Sequence, residues 1–125
     1  MNILRKFRRV AAAMTAAFCC LTAFSVQAET FMSVKDVQPG MTGYAKTVAH
    51  GRKIETFPVE VLGIMKNAGP SGDLILAKFS GPLIEESGGI AQGMSGSPVY
   101  INGKLVGAVA YGWSFTKSRI VMITP

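Results

Sequence analysis

The amino-acid sequence predicts an all-β protein. After residue 28 no long segment carries apolar residues at helical spacing, whereas short runs of β-branched and aliphatic residues recur. Asn102-Gly103 lies between two of these runs and tolerates the positive φ angles of a two-residue type I′ hairpin. The predicted strands are Thr56 to Met65, Asp73 to Phe79, Ser97 to Ile101, Lys104 to Tyr111 and Arg119 to Thr124.

Residues that make turns separate the predicted strands. Glycine, proline, serine and asparagine concentrate at residues 67–72, 80–82 and 112–117. Pro39 to Gly43 has the same composition and predicts a turn that leads into an early strand. Because the sequence contains no internal repeat or low-complexity tract, residues 29–125 are predicted to form one unit.

The first 28 residues have the organisation of a secretory signal peptide. Four basic residues precede an apolar run from Val10 to Val26, and small residues follow at Val26-Gln27-Ala28. This order predicts cleavage after Ala28 rather than a retained membrane anchor. We therefore expect an exported protein in the periplasm, the cell envelope or the extracellular space, which contacts the membrane only through the signal peptide.

Removal of this segment changes the net charge and the cysteine content from which partners and metal sites are predicted. Cys19 and Cys20 both lie within it, so the mature chain is expected to have no thiol, disulfide or thiolate metal site. Four of the 13 basic residues are also removed while all seven acidic residues remain, so the formal charge falls from +6 to +2 and predicts no nucleic-acid partner. A lone histidine without clustered carboxylates predicts no metal, and no phosphate loop or other cofactor motif is present.

The chemistry of the sequence is concentrated between Gly88 and Tyr100. This segment, Gly-Gly-Ile-Ala-Gln-Gly-Met-Ser-Gly-Ser-Pro-Val-Tyr, places Ser95 in a glycine-flanked turn directly before a hairpin. A hydroxyl that attacks a carbonyl needs close backbone approach and N–H groups aimed at the developing oxyanion, and glycine leaves both open. Ser95 is therefore the predicted nucleophile, and the N–H groups of Gly93 and Ser95 are the predicted oxyanion donors.

The same segment resembles a known group of enzymes. Gly-Met-Ser-Gly-Ser-Pro at residues 93–98, followed by Gly103-Lys104-Leu105, Gly107, Val109 and Gly112, is similar without a gap to the second barrel of trypsin-like serine peptidases. The longer segment from Gly88 to Tyr100, with Gly-Ala-Val after the hairpin, more closely resembles the SpoIVB serine peptidases of sporulating bacteria. That resemblance extends from Met32 to Pro125.

The resemblance implies a trypsin-like β-barrel and limited proteolysis of a protein or peptide outside the cytoplasm. Ser95 would accept the acyl group and pass it to water, and Tyr111 and Gly112 would hold substrate backbone as an added strand. The 97 residues after the signal peptide are enough for one small domain but too few for two barrels. Because the sequence stops at Pro125 directly after a strand-like run, we expect a partial peptidase domain that is truncated at its C-terminus.

Two departures from the family pattern affect the expected catalytic triad. Ser80 stands where the pattern has an aspartate eight residues before the Gly-Gly pair, so no acid is carried over. The family's glycine-histidine segment has no match, which favours a base beyond Pro125. His50 is the in-chain alternative, because histidine before serine is the trypsin-like chain order. Asp73 and Asp36 are the acids considered as its partner, and their spacing gives no geometric constraint.

Several other interpretations accompany this assignment. Ser97 is a second hydroxyl, but the Pro98 that follows it and the trypsin-like spacing both favour Ser95. Trp113 and Phe115 either line a specificity pocket or cover the end of the barrel.

The rival hypothesis is a non-catalytic exported β domain that binds extended peptides along the strand around Tyr111. It predicts peptide binding that survives Ser95→Ala, without hydrolysis.

Overall fold

A computed structural model describes residues 28–91, 93–112 and 119–125, with only the backbone described at residues 49 and 50. In this part of the chain six antiparallel strands form a closed barrel in the order β1-β2-β3-β6-β5-β4. A 3₁₀ helix precedes β1, and the short helix α1 connects β3 to the segment before β4. The strands and helices are Val34–Asp36 (3₁₀), β1 (Thr42–His50), β2 (Lys53–Gly69), β3 (Gly72–Phe79), α1 (Pro82–Glu86), β4 (Pro98–Ile101), β5 (Lys104–Gly112) and β6 (Ile120–Thr124).

The barrel closes where β1 pairs with β4. Gly43 lies opposite Ile101, and Tyr44 lies opposite Tyr100. A Cβ atom at Gly43 would overlap the carbonyl oxygen of Tyr100 and lie 2.9 Å from Cδ1 of Ile101. Glycine at position 43 therefore allows the two strands to approach closely enough to complete the ring of hydrogen bonds.

The barrel interior is filled by aliphatic side chains and two phenylalanine rings. Buried and exposed residues alternate along β2 from Phe57 to Val61, as expected for a strand with one face on the core. The rings of Phe57 and Phe79 pack with their centroids 4.7 Å apart. Burial of a side chain of this size stabilises the fold by about 1.5–3 kcal/mol. The largest fully buried side chains are Phe57, Phe79, Ile75, Ile84, Ile101, Ile123, Val61, Val99 and Val121.

The segment before the 3₁₀ helix pairs with the start of β5. The N–H of Leu105 donates to the carbonyl of Thr30, and the N–H of Met32 donates to the carbonyl of Leu105, each at 2.9 Å. The hydroxyl of Tyr100 donates to the carboxylate of Glu29 at 2.7 Å. The first described residues thus pack against β4 and β5.

The all-β prediction and the barrel are confirmed. Each of the five predicted strands corresponds to one of β2 to β6, and the early strand expected after the turn at Gly43 is β1. Asn102 and Gly103 have φ angles of 51° and 74°, as a type I′ hairpin requires. One difference lies after the break at residues 80–82, where Pro82 begins α1. A helix of five residues is too short to show apolar periodicity in the sequence.

Some sequence predictions fall on residues that the structure does not describe. The predicted signal peptide lies outside the described residues except for Ala28, and Trp113 and Phe115 lie outside them as well. Within the described ranges, no helix combines the length and apolar character needed to cross a membrane.

Candidate functional site

Ser95 lies in a tight turn between α1 and β4. Gly93 has a φ angle of +96° and Gly96 one of +82°, which are left-handed conformations that favour glycine. Met94, between Gly93 and Ser95, is only 4% exposed and packs into the barrel core. Ser95 itself is exposed. The turn is therefore anchored in the core by one side chain and presents the next one to solvent.

Backbone hydrogen bonds attach the turn to β5. The N–H of Gly96 donates to the carbonyl of Val109 at 2.7 Å, and the N–H of Val109 donates to the carbonyl of Ser97 at 2.9 Å. Among the described residues, the N–H groups of Gly93 and Ser95 donate to no partner. These two amides are the ones that the sequence predicts as oxyanion donors.

The two serine hydroxyls of the turn differ in their surroundings. Ser97 is 7% exposed, and its Oγ donates to Oγ1 of Thr47 on β1 at 3.1 Å. Thr47 is also buried, so this hydrogen bond is sheltered from water. Ser95, in contrast, is accessible to a substrate. The role of Thr47 had no signal in the sequence, because the pairing depends on the closure of β1 against β4.

An open cleft of about 360 Å³ begins at Ser95. The serine turn forms one wall, and the hairpin between β1 and β2 forms the other. Val48 and Ile54, which are opposite each other in that hairpin, are 52% and 65% exposed. The cleft therefore offers apolar surface next to a hydroxyl. Its lining residues are Lys46, Thr47, Val48, Ile54, Gly93, Ser95, Gly96, Ser97 and Pro98.

The end of β5 borders the same turn. On one side Tyr111 and Gly112 pair with β6. On the other side the pairing with β4 extends only to Ala108, and Val109 makes the last hydrogen bonds to the turn. Within the described part of the chain, no residue pairs with Tyr111 or Gly112 along that second side, and Tyr111 is 43% exposed. A strand end with free backbone groups can accept an extended peptide.

Most of the chain matches a known family. The sequence profile of the family described as SpoIVB peptidase S55 matches residues 21–117. The chain belongs to the SpoIVB peptidase family. No curated protein and no solved structure matches it. Membership implies a protein substrate, and the matched range includes the serine turn, the cleft and the end of β5.

The structure places the backbone of His50 in this SpoIVB-family barrel beside the cleft. His50 ends β1 and pairs with Lys53, after a register shift that follows Val48. Because Val48 and Ile54 line the cleft, the hairpin that carries His50 borders the space above Ser95. The side chain of His50 lies outside the described part of the structure, so its assignment as the base stays a prediction.

The two acids considered as partners of a base lie elsewhere in the SpoIVB-family barrel. Asp73 follows the hairpin at the far end of β2, where Nζ of Lys66 donates to its carboxylate at 2.7 Å and the N–H of Asn67 at 3.0 Å. The hydrogen bonds from Lys66 and then Asn67 lower the pKa of Asp73. Asp36 lies in the exposed 3₁₀ helix before β1. Neither residue lines the cleft at Ser95.

Glu55 is an acidic residue that sequence reasoning missed. It lies opposite Thr47 in the pairing of β1 with β2. One carboxylate oxygen is 3.5 Å from Nζ of Lys53, whereas Oε2 is buried and has no hydrogen-bond partner in the structure as described. Only the register of the two strands reveals that Glu55 is close to Thr47.

Across the described residues, no group of three acidic, histidine or cysteine side chains is arranged to hold a metal.

Proposed function

We propose that this SpoIVB-family protein is an exported serine endopeptidase that performs limited proteolysis by acyl transfer through Ser95. The observation that carries the proposal is the turn at residues 93–96. Its hydroxyl is exposed, the N–H groups of Gly93 and Ser95 are not used by other described residues, and a cleft begins beside it. A nucleophile, an oxyanion site and space for a substrate therefore coincide.

The proposed reaction begins when an extended substrate segment pairs with Tyr111 and Gly112 along the side of β5 that faces away from β6. Oγ of Ser95 attacks the scissile carbonyl carbon, and its proton passes to a base. The carbonyl oxygen takes the negative charge, which the N–H groups of Gly93 and Ser95 stabilise. Each such donor contributes about 3 kcal/mol to transition-state stabilisation. Collapse expels the amine with the transferred proton, and water then releases the acyl group from Ser95.

His50 is the in-chain candidate for the base. The hairpin that carries it lines the cleft through Val48 and Ile54, which supports the assignment. A base from sequence after Pro125 is the alternative. Ser95 without a base is a weak nucleophile, so the two cases differ in whether this chain reacts on its own.

Export is part of the proposal and rests on the first 28 residues. Removal of that segment would leave Glu29 as the first residue. Mass spectrometry of protein recovered outside the cytoplasm should then find Glu29 at the N-terminus. Recovery of the chain in the cytoplasm with residues 1–28 attached would contradict export without affecting the assignment of Ser95.

The catalytic part is tested by labelling the folded chain with a fluorophosphonate and locating the label by peptide mass spectrometry. Ser95→Ala and His50→Ala variants are labelled in parallel. Ser71→Ala serves as the matched control, because Ser71 is exposed and lies at the far end of β2. We expect labelling at Ser95 that is lost in the first two variants and kept in the control.

Other results of the same experiment separate the alternatives. Labelling that persists in His50→Ala would exclude His50 as the base. Folded protein that takes no label would mean either that the base comes from sequence after Pro125 or that the site is not catalytic. If a chain extended past Pro125 also takes no label, and an extended peptide binds both the natural chain and Ser95→Ala, a non-catalytic peptide-binding domain replaces the peptidase. The observation that favours this second candidate is that no described residue pairs with Tyr111 on the side of β5 facing away from β6.

A further inference from the structure

Lys46 lies at the cleft because of its position in β1. Ala45 and Thr47 are buried, so Tyr44 and Lys46 project from the opposite face of the strand. Tyr44 lies opposite Tyr100 on β4, and their rings stack with centroids 5.1 Å apart at an interplanar angle of 18°. Nζ of Lys46 lies 5.0 Å from the ring centroid of Tyr100 and 5.8 Å from that of Tyr44. Two stacked rings thus support the lysine at the wall of the Ser95 cleft.

Lys46 forms no ion pair with a carboxylate of the described residues. The ion pairs among the described residues belong to Lys53, Lys66 and Arg119. The carboxylate of Glu29 accepts a hydrogen bond from the hydroxyl of Tyr100. Among the described residues that line the cleft, Lys46 is the charged one. Aromatic rings orient a cation that packs against them but do not neutralise its charge. The cation can therefore still form an ion pair with another group.

Lys46 and its neighbours Val48 and Ile54 form a surface that is charged at one point and apolar beside it. Val48 follows on the same face of β1 and Ile54 lies opposite it, and both are more than half exposed. A compact ammonium group on a flexible stem can reach a carboxylate that enters the cleft. The exposed aliphatic side chains beside it favour an apolar residue next to that carboxylate.

We propose that Lys46 is a specificity-determining residue that binds a carboxylate of the substrate, while Val48 and Ile54 contact an adjacent apolar side chain. The carboxylate is either an Asp or Glu side chain or the C-terminus of the bound peptide. This inference rests on the proposed function for the position of the substrate. It concerns binding, however, and can be tested without turnover.

The test uses the full chain carrying Ser95→Ala, so that peptides bind but are not cleaved. The probes are short fluorescent peptides, acetylated and amidated, in which one glutamine at a time is replaced by glutamate beside a leucine. A further arm carries a free C-terminal carboxylate. Affinities are measured by fluorescence anisotropy at low and high salt. At low salt we expect one glutamate position, or the free C-terminus, to bind about fivefold more tightly than the neutral peptide, and high salt to reduce the difference.

Variants at position 46 assign that preference to the lysine. Lys46→Met should abolish the difference between the charged and neutral peptides, and Lys46→Arg should retain most of it. Lys78→Met is the matched control, because Lys78 is an exposed lysine on β3 that does not line the cleft. It makes the same change in net charge and should leave the preference in place.

Three results would overturn the proposal. The first is equal binding of charged and neutral peptides, or binding of none. The second is a preference that survives Lys46→Met. The third is loss of fluorophosphonate labelling in both Lys46→Arg and Lys46→Met of the chain that retains Ser95, which would make Lys46 the general base. Failure of this chain to react on its own is recognised separately, because then Ser95 takes no label in the natural chain whatever the peptide preference.

Discussion

Oγ of Ser97 donates a buried hydrogen bond to Oγ1 of Thr47 at 3.1 Å, between residues 50 positions apart in the chain. Ser97 lies two residues after the proposed nucleophile, and Thr47 lies in the strand that lines the opposite wall of the cleft. The bond therefore connects the serine turn to β1, next to the backbone pairing of Ala45 with Val99.

Removal of one partner of this bond should destabilise the barrel. Ser97→Ala and Thr47→Val should each lower the free energy of unfolding by about 1–3 kcal/mol, because a buried hydroxyl is left unsatisfied. The double variant should lose less than the sum of the two single losses. Urea denaturation measures all four proteins. Strictly additive losses would show that the two hydroxyls do not interact.

The conformation of the serine turn can be tested with alanine. A Cβ atom at Gly93 or Gly96 would have no heavy atom within 4 Å, so only the positive φ angle opposes the substitution. Each of Gly93→Ala and Gly96→Ala should cost about 1–2 kcal/mol of stability and slow fluorophosphonate labelling of Ser95.

Gly63→Ala is the control for this prediction. It also has open space around the Cβ position, but its φ angle does not lie in the left-handed range. Its stability should change by less than about 0.5 kcal/mol, and labelling should be unaffected. If all three variants behaved alike, the turn would not require the left-handed conformation.

Barrel closure should be sensitive to any side chain at Gly43. Its Cβ atom would overlap the carbonyl oxygen of Tyr100, which belongs to the backbone and cannot rotate away. Gly43→Ala should therefore cost about 3 kcal/mol or more, since β1 and β4 must separate. Thermal unfolding followed by circular dichroism measures the loss. A midpoint equal to that of the natural chain would contradict the close pairing of these strands.

Acid should weaken the hairpin between β2 and β3. The hydrogen bonds from Lys66 and Asn67 hold the pKa of Asp73 below its ordinary value of 3.8 in the folded state. A carboxylate with a lowered folded pKa contributes stability above its unfolded pKa, and the contribution disappears as the pH falls through the folded pKa. The melting temperature should fall less steeply below about pH 4 in Asp73→Asn than in the natural chain. Identical pH profiles would show that Asp73 contributes nothing.

The strands and the serine turn could be predicted from the sequence, because each is indicated by residues that are close together in the chain. Asn102-Gly103 favours a two-residue turn, and the glycines at 93 and 96 permit the left-handed conformations that the turn adopts. The contacts of Thr47, Lys46 and Glu55 could not be predicted, because each depends on a strand register set by barrel closure. The strand β1 was also indistinct in the sequence, since polar residues such as Lys46 and Thr47 interrupt its apolar pattern.

The order of the strands in the barrel affects when the barrel around the serine turn can close during synthesis and folding. The serine turn is attached to Val109 on β5, and β6 inserts between β5 and β3. Contacts between residues distant in sequence form slowly, because the chain must first lose the entropy of closing a long loop. A nascent chain that has not yet produced β6 therefore leaves the facing edges of β3 and β5 unpaired. The ring of strands around the serine turn can close only after β6 has been synthesised.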